Sequence, residues 1–239
     1  MRRRSLTELA NNPDLIPGIY NYCDRWCERC PLTSRCLVYA TEQEEDNDST
    51  SARPCQSQDT HNEAFWKKLA AILPETRTMI VDWAKDAGLD LTAATAQDET
   101  RYHRKRQNVD NHPLAKAGKN YANAASNWFR QLDHEIDDEN AREVIQWYQY
   151  QIAVKTIRAL SGRREELEED LHSPKDSDGS AKVALIGIDR SIAAWRLMQR
   201  QLPERADSIV PLLLLLERLR LSLERSFPDA RDFIRPGFD

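Results

Sequence analysis

Residues 139–162 read ENAREVIQWYQYQIAVKTIRALSG, and this stretch decides the fold. At 100° per residue its apolar side chains, including Ile145, Trp147, Tyr148, Ile152, Val154 and Ile157, surround the whole helix axis. A helix of that kind belongs at the centre of other helices. It also carries Glu143, Gln149 and Lys155 towards partly buried positions, where a polar group needs a partner or bears a desolvation cost. Glu143 and Lys155 are therefore candidate functional positions. The expected start is a cap at Asp137 or Asp138, and the expected end is Gly162.

Working outward, Asn111 and Pro113 open a preceding helix whose Leu114, Tyr121, Ala125, Trp128, Leu132 and Ile136 keep the same period. Further upstream, Thr60 and Glu63 form a possible capping box. Behind it Phe65, Trp66, Leu69, Ile72, Leu73, Ile80, Trp83 and Ala84 recur at helical spacing up to Gly88, with a kink expected at Pro74. The polar stretch between these two helices, with Arg101, His103, Arg104, Lys105 and Arg106, reads as a basic loop. Downstream, 162–180 reads as a charged loop, and a helix follows from Ala181 to about Gln201 before Pro203. Its Lys182, Asp189, Arg196 and Arg200 share one angular wedge, the pattern of a solvent stripe; a buried Asp189 is the competing reading and makes it a third polar candidate. Ser208 can cap a last helix that tolerates Pro211 in its first turn and stops before Pro228.

The composition agrees. Only 7 glycines occur in 239 residues, Ala, Leu, Glu, Arg and Gln are abundant, and β-branched runs are sparse. The expected fold is all-α: an antiparallel bundle of four or five helices spanning 61–239, with an N-terminal cysteine-rich metal-binding module at 1–40. Between them, 41–60 is acidic and nearly free of aliphatic residues, so it reads as a linker. The chain begins without an apolar signal segment, and Leu212 to Leu216 is far too short to span a bilayer, so a cytoplasmic protein without membrane contact is expected. A net charge of −5 argues against a generally nucleic-acid-binding surface. Contacts through Arg2 to Arg4 and Arg101 to Arg106 are conceivable but not favoured over a protein partner.

Chemistry is concentrated in YCDRWCERCPLTSRC, residues 22–36, where Cys23, Cys27, Cys30 and Cys36 are spaced C-x3-C-x2-C-x5-C. Four thiolates at such short spacing can hold either one zinc or the irons of a 4Fe-4S cluster. Structural zinc usually joins two separated knuckles, whereas here one C-x2-C pair is compressed with its partners, which favours the bulkier cluster. Unmetallated or redox-active thiols are the remaining reading. Were the first three cysteines helical, offsets of four and three residues would put them on one face, and Pro31 would turn the chain to return Cys36. Arg25, Arg29 and Arg35 could offset the cluster's negative charge. The fifth cysteine, Cys55, reads as a free surface thiol.

CERCPLTSRC resembles the last part of the 4Fe-4S cluster loop in endonuclease III-type DNA glycosylases, C-x2-C-P-x4-C, and the terminal cysteines of certain RecB-like exonucleases. The resemblance covers about 15 residues and implies cluster binding at Cys23, Cys27, Cys30 and Cys36. It does not extend to base excision, since the glycosylase loop separates its first two cysteines by six residues and no helix-hairpin-helix motif occurs here. Gln146 to Tyr150 matches the Q-x3-Y pattern of the RecB-like enzymes, but the strands that carry their metal-binding carboxylates are not expected. The first three cysteines also match the C-x3-C-x2-C motif of radical S-adenosylmethionine enzymes. Here Cys36 offers a fourth ligand, Arg29 stands at the usual aromatic position, and no strand succession is expected, so the resemblance does not imply radical chemistry.

Overall fold

The computed structural model describes residues 6–48, 63–91, 93, 96–131, 139–169 and 176–239. Among them the protein is all-helical, with eight α-helices and no strand: α1 Leu6–Ala10, α2 Leu37–Asp48, α3 Glu63–Asp86, α4 Ala96–Asp110, α5 Pro113–Arg130, α6 Glu139–Glu169, α7 Asp176–Gln201 and α8 Ala206–Ser226. No helix among the described residues is long and apolar enough to cross a membrane.

Four of these helices share the core. α6 packs on α7 and α5, α7 packs on α8, and α8 returns to α5. Ile145, Tyr148 and Ile152 of α6 meet Leu185, Ile188 and Trp195 of α7 and Leu216 and Leu219 of α8 in one buried cluster. Trp195 is fully buried, its indole N–H donates to the Tyr121 hydroxyl at 3.0 Å, and its ring stands edge-on to Trp128 at 4.9 Å. The apolar side chains of α6 are not covered all round, however. Tyr150 and Val154 are more than half exposed, which corrects the expectation of neighbours on every side. α3 likewise leaves Leu73, Met79, Ile80 and Trp83 exposed, with Ala84 buried.

Several boundaries differ from those expected, each for a local reason. The basic stretch is not a loop but α4, so Arg101, His103, Arg104, Lys105 and Arg106 are helical. It is polar all round, which hides it from periodicity, while its Gln, Glu, Arg and Lys favour helix and Asp98 and Glu99 suit the first turn. α5 is capped by His112 rather than Asn111, its Nδ1 accepting from the Leu114 N–H at 3.2 Å before Pro113. α6 runs through Gly162 to Glu169. Gly162 does not stop the helix, and a Cβ there would only make ordinary contact with Ser177 of α7 at 3.4 Å. α7 starts at Asp176, five residues before Ala181, and Glu166 of α6 accepts from the Ser177 N–H and hydroxyl at 2.9 and 2.7 Å, pairing one of the free N–H groups of its first turn.

Pro203 and its neighbours form a single 3-10 turn before α8. Ser208 lies inside α8 and is not its cap; its hydroxyl donates to the Arg205 carbonyl and accepts from the Trp128 indole at 2.8 Å. Pro211 is tolerated within α8, and Pro228 lies beyond its end at Ser226. Of the expected acidic linker, Thr41 to Asp48 continues α2 as helix. Residues 49–60, the helix caps expected at Thr60, Asp137 and Asp138, the helical positions Leu132 and Ile136, and Arg2 to Arg4 fall outside the described residues.

Candidate metal centre

The cysteine stretch folds as two successive 3-10 turns, Cys27–Arg29 and Thr33–Arg35. Each turn delivers a cysteine at its end in extended backbone: Cys30, whose N–H donates to the Cys27 carbonyl, and Cys36, whose N–H donates to the Thr33 carbonyl, both at 3.2 Å. The first three cysteines are thus not on one helical face, and only Cys27 lies within a helical turn. Cys23 precedes a sharp reversal in which the Trp26 N–H donates to the Asp24 carboxylate at 3.2 Å and Arg25 takes a left-handed φ of 60°. For a side chain other than glycine that conformation costs about 1–2 kcal/mol, so neighbouring contacts must hold it.

All four cysteines line one recess of about 390 Å³ of empty space, counted with the solvent at its mouth. Ile19, Leu32, Val38 and Phe238 are among its walls, and the last of these comes from the C-terminal end of the chain. Cys30 Sγ accepts from the Leu32 N–H at 3.4 Å, the kind of bond that stabilises sulfur carrying negative charge. Burial raises the Cys23 thiol above its ordinary value. Burial first, then the negative fields of Glu42, Cys23 and Cys36, pushes Cys27 up to about 11.

Four soft donors around one largely apolar recess fit in kind a thiolate-ligated cluster or zinc. Their side chains are not drawn together as a ligand set: among the described residues, no three His, Cys, Asp or Glu groups stand close enough to hold a metal ion.

The polar candidates turn out to tie elements together. Glu143 is half exposed and pairs with Arg29 of the cysteine stretch, which also donates to Asn140 at 2.8 Å. Lys155 is 5% exposed, its Nζ donates to the Asn21 carbonyl at 2.9 Å, and burial pulls its pKa below the usual lysine value. Asp189 is neither buried nor free. Arg231 holds it at 2.6 Å and Arg220 at 3.7 Å, joining α7 to α8 and the C-terminal tail. None of the three faces the recess.

Sequence reasoning missed the residue that does most to seat the site. Asp24, next to Cys23, accepts from the Tyr148 hydroxyl of α6 and from Arg190 of α7 at 2.9 Å, while its carbonyl accepts from the Trp147 indole at 2.9 Å and the Gln151 amide at 3.1 Å. Burial, then the bond to Asp24, holds the Tyr148 phenol well above its ordinary pKa. Trp26 stacks on Trp147 at 5.1 Å, and the Arg29 guanidinium lies over the Trp26 ring at 4.0 Å. The available signals were Tyr148 on an apolar helix and Arg190 interrupting the apolar run of α7.

The C-terminal tail closes the assembly. Tyr22 and Phe233 pair at 4.8 Å over Gly179 of α7, where even a Cβ would lie 2.4 Å from the tyrosine ring. Lys182 donates to the Phe233 carbonyl at 2.7 Å and pairs with Asp239 at 2.8 Å, so the expected solvent stripe of α7 is covered at its first member. No family model matches the chain, and no curated protein or solved structure matches it either.

Proposed function

We propose that this chain is an iron-sulfur protein in which Cys23, Cys27, Cys30 and Cys36 hold a 4Fe-4S cluster beside a helical bundle, serving electron transfer or redox sensing. The observation that supports this reading is that all four cysteines line one largely apolar recess, with a backbone N–H already directed at Cys30. A bound cluster supplies one-electron chemistry whose potential depends on hydrogen bonds to sulfur and on solvent exposure. The protein's part is to set those conditions. Leu32, Val38 and Phe238 limit water, and the Leu32 N–H partly offsets the charge at Cys30.

A second reading is favoured by the Asp24 network. A zinc or cluster staple there would fix the N-terminal segment onto α6 and α7, and the protein would then act as an interaction scaffold. The two readings part on colour and redox response. Protein purified without oxygen should absorb broadly in the visible region and bleach when a one-electron reductant is added. A colourless, reductant-indifferent protein overturns the redox reading.

A further inference from the structure

A second recess lies between α5 and α6, away from the cysteines, and holds about 1170 Å³ of empty space open to solvent. Most of its lining residues are polar, with the rings of Phe129 and Tyr150 beside them. Arg130 and Arg142 contribute two guanidinium groups, and four amides converge there, Gln146 and Gln149 among them. No carboxylate lines it among the described residues, although the whole chain carries a net charge of −5. Two arginines with no carboxylate among the described lining residues favour an anionic group.

The lining is also arranged to take more than an anion. Gln146 and Tyr150 are one helical turn apart on α6, so both reach the same groove. Tyr150 is 54% exposed, and its hydroxyl meets Ser126 at 2.9 Å, which fixes the ring while leaving a face open. Ser126 also donates to the Gln149 oxygen at 3.2 Å. With its oxygen so occupied, the buried Gln149 keeps its amide N–H groups without a protein partner among the described residues. Paired donor and acceptor edges from amides suit a heterocyclic base, an exposed aromatic face suits stacking, and guanidinium groups suit phosphate.

We propose that this groove binds a nucleotide unit, phosphate on Arg130 and Arg142, base against Tyr150 and the amides. Such a unit is available either as a free nucleotide or within a single strand. The site is independent of the cysteine centre and of the basic helix α4.

The test uses the full chain with its metal content as isolated. Binding of a fluorescein-labelled twelve-nucleotide single strand is followed by polarisation, and binding of AMP and ATP by calorimetry, both at low salt. Saturable binding of the strand alone identifies a single-strand site, and binding of the mononucleotides identifies a free-nucleotide site; either supports the assignment provided the variants behave as follows. Arg130→Gln with Arg142→Gln should weaken binding at least tenfold, and for the strand should lower the salt slope by roughly one to two units. Tyr150→Leu should weaken it severalfold. Arg101→Gln with Arg104→Gln on α4 should leave it unchanged. All the altered side chains are exposed, and unchanged circular dichroism and melting establish that the variants fold. No binding of either probe, or binding that the groove variants leave intact, overturns the proposal.

Discussion

Asp24→Ala should lower stability by roughly 2–3 kcal/mol and the melting temperature by about 5–10 °C. The larger part comes from Tyr148, which is 1% exposed and would be left with a buried hydroxyl deprived of its carboxylate acceptor. The ion pair with Arg190 adds less, because the arginine side chain is 55% exposed and solvent screens it. Asp24→Asn keeps an acceptor for the phenol and should cost about half as much. The pH dependence has a definite sign. The Tyr148 pKa is raised on folding, so its contribution is present below the ordinary phenol range and is lost as pH rises above about 10. Removing Asp24 should flatten that alkaline fall. Denaturation curves at neutral and alkaline pH measure both effects, and equal stability of the wild type and Asp24→Ala would remove the network from the account. Because Asp24 adjoins Cys23, the alanine variant should also lose metal faster to a chelator.

Trp195→Ala should be costlier still, about 4 kcal/mol, as expected when a fully buried tryptophan is cut to a methyl group. It empties the space against Trp128 and Phe129 and strips Tyr121 of its indole donor. Its aromatic neighbours lie on α5, whereas the cysteine segment is tied to α6 and to the other part of α7. Metal content per folded chain should therefore be unchanged. The two substitutions form a contrast: both should destabilise the protein, and only the one beside Cys23 should loosen the proposed metal. Equal loss of metal from both would mean that the site reports global stability and nothing local.

The sequence made some of this arrangement legible and hid the rest for identifiable reasons. α5 and α8 announce themselves because each buries one face, so apolar residues recur every three or four positions, whereas the first half of α7 is buried on nearly all sides. α4 buries little, and a helix polar on all sides leaves no such trace. Gly162 and Gly179 look like breakers yet sit inside helices; at Gly179 the rings of Tyr22 and Phe233 occupy the room a side chain would need. The four cysteines were readable from spacing, but their common recess depends on Leu32 and on Phe238, two hundred residues apart in the chain. Asp24, Tyr148 and Arg190 could not be joined by any local rule, since only tertiary packing brings α6 and α7 to the same carboxylate. Glu143 and Lys155 have partners on the cysteine stretch and its approach, Glu143 from a half-exposed position and Lys155 from a buried one.

The most direct measurement is the iron, acid-labile sulfide and zinc content per chain of protein purified without oxygen. A 4Fe-4S centre on Cys23, Cys27, Cys30 and Cys36 predicts about four irons and four sulfides per chain, both lost in Cys30→Ser with Cys36→Ser. One zinc per chain with neither iron nor sulfide contradicts it.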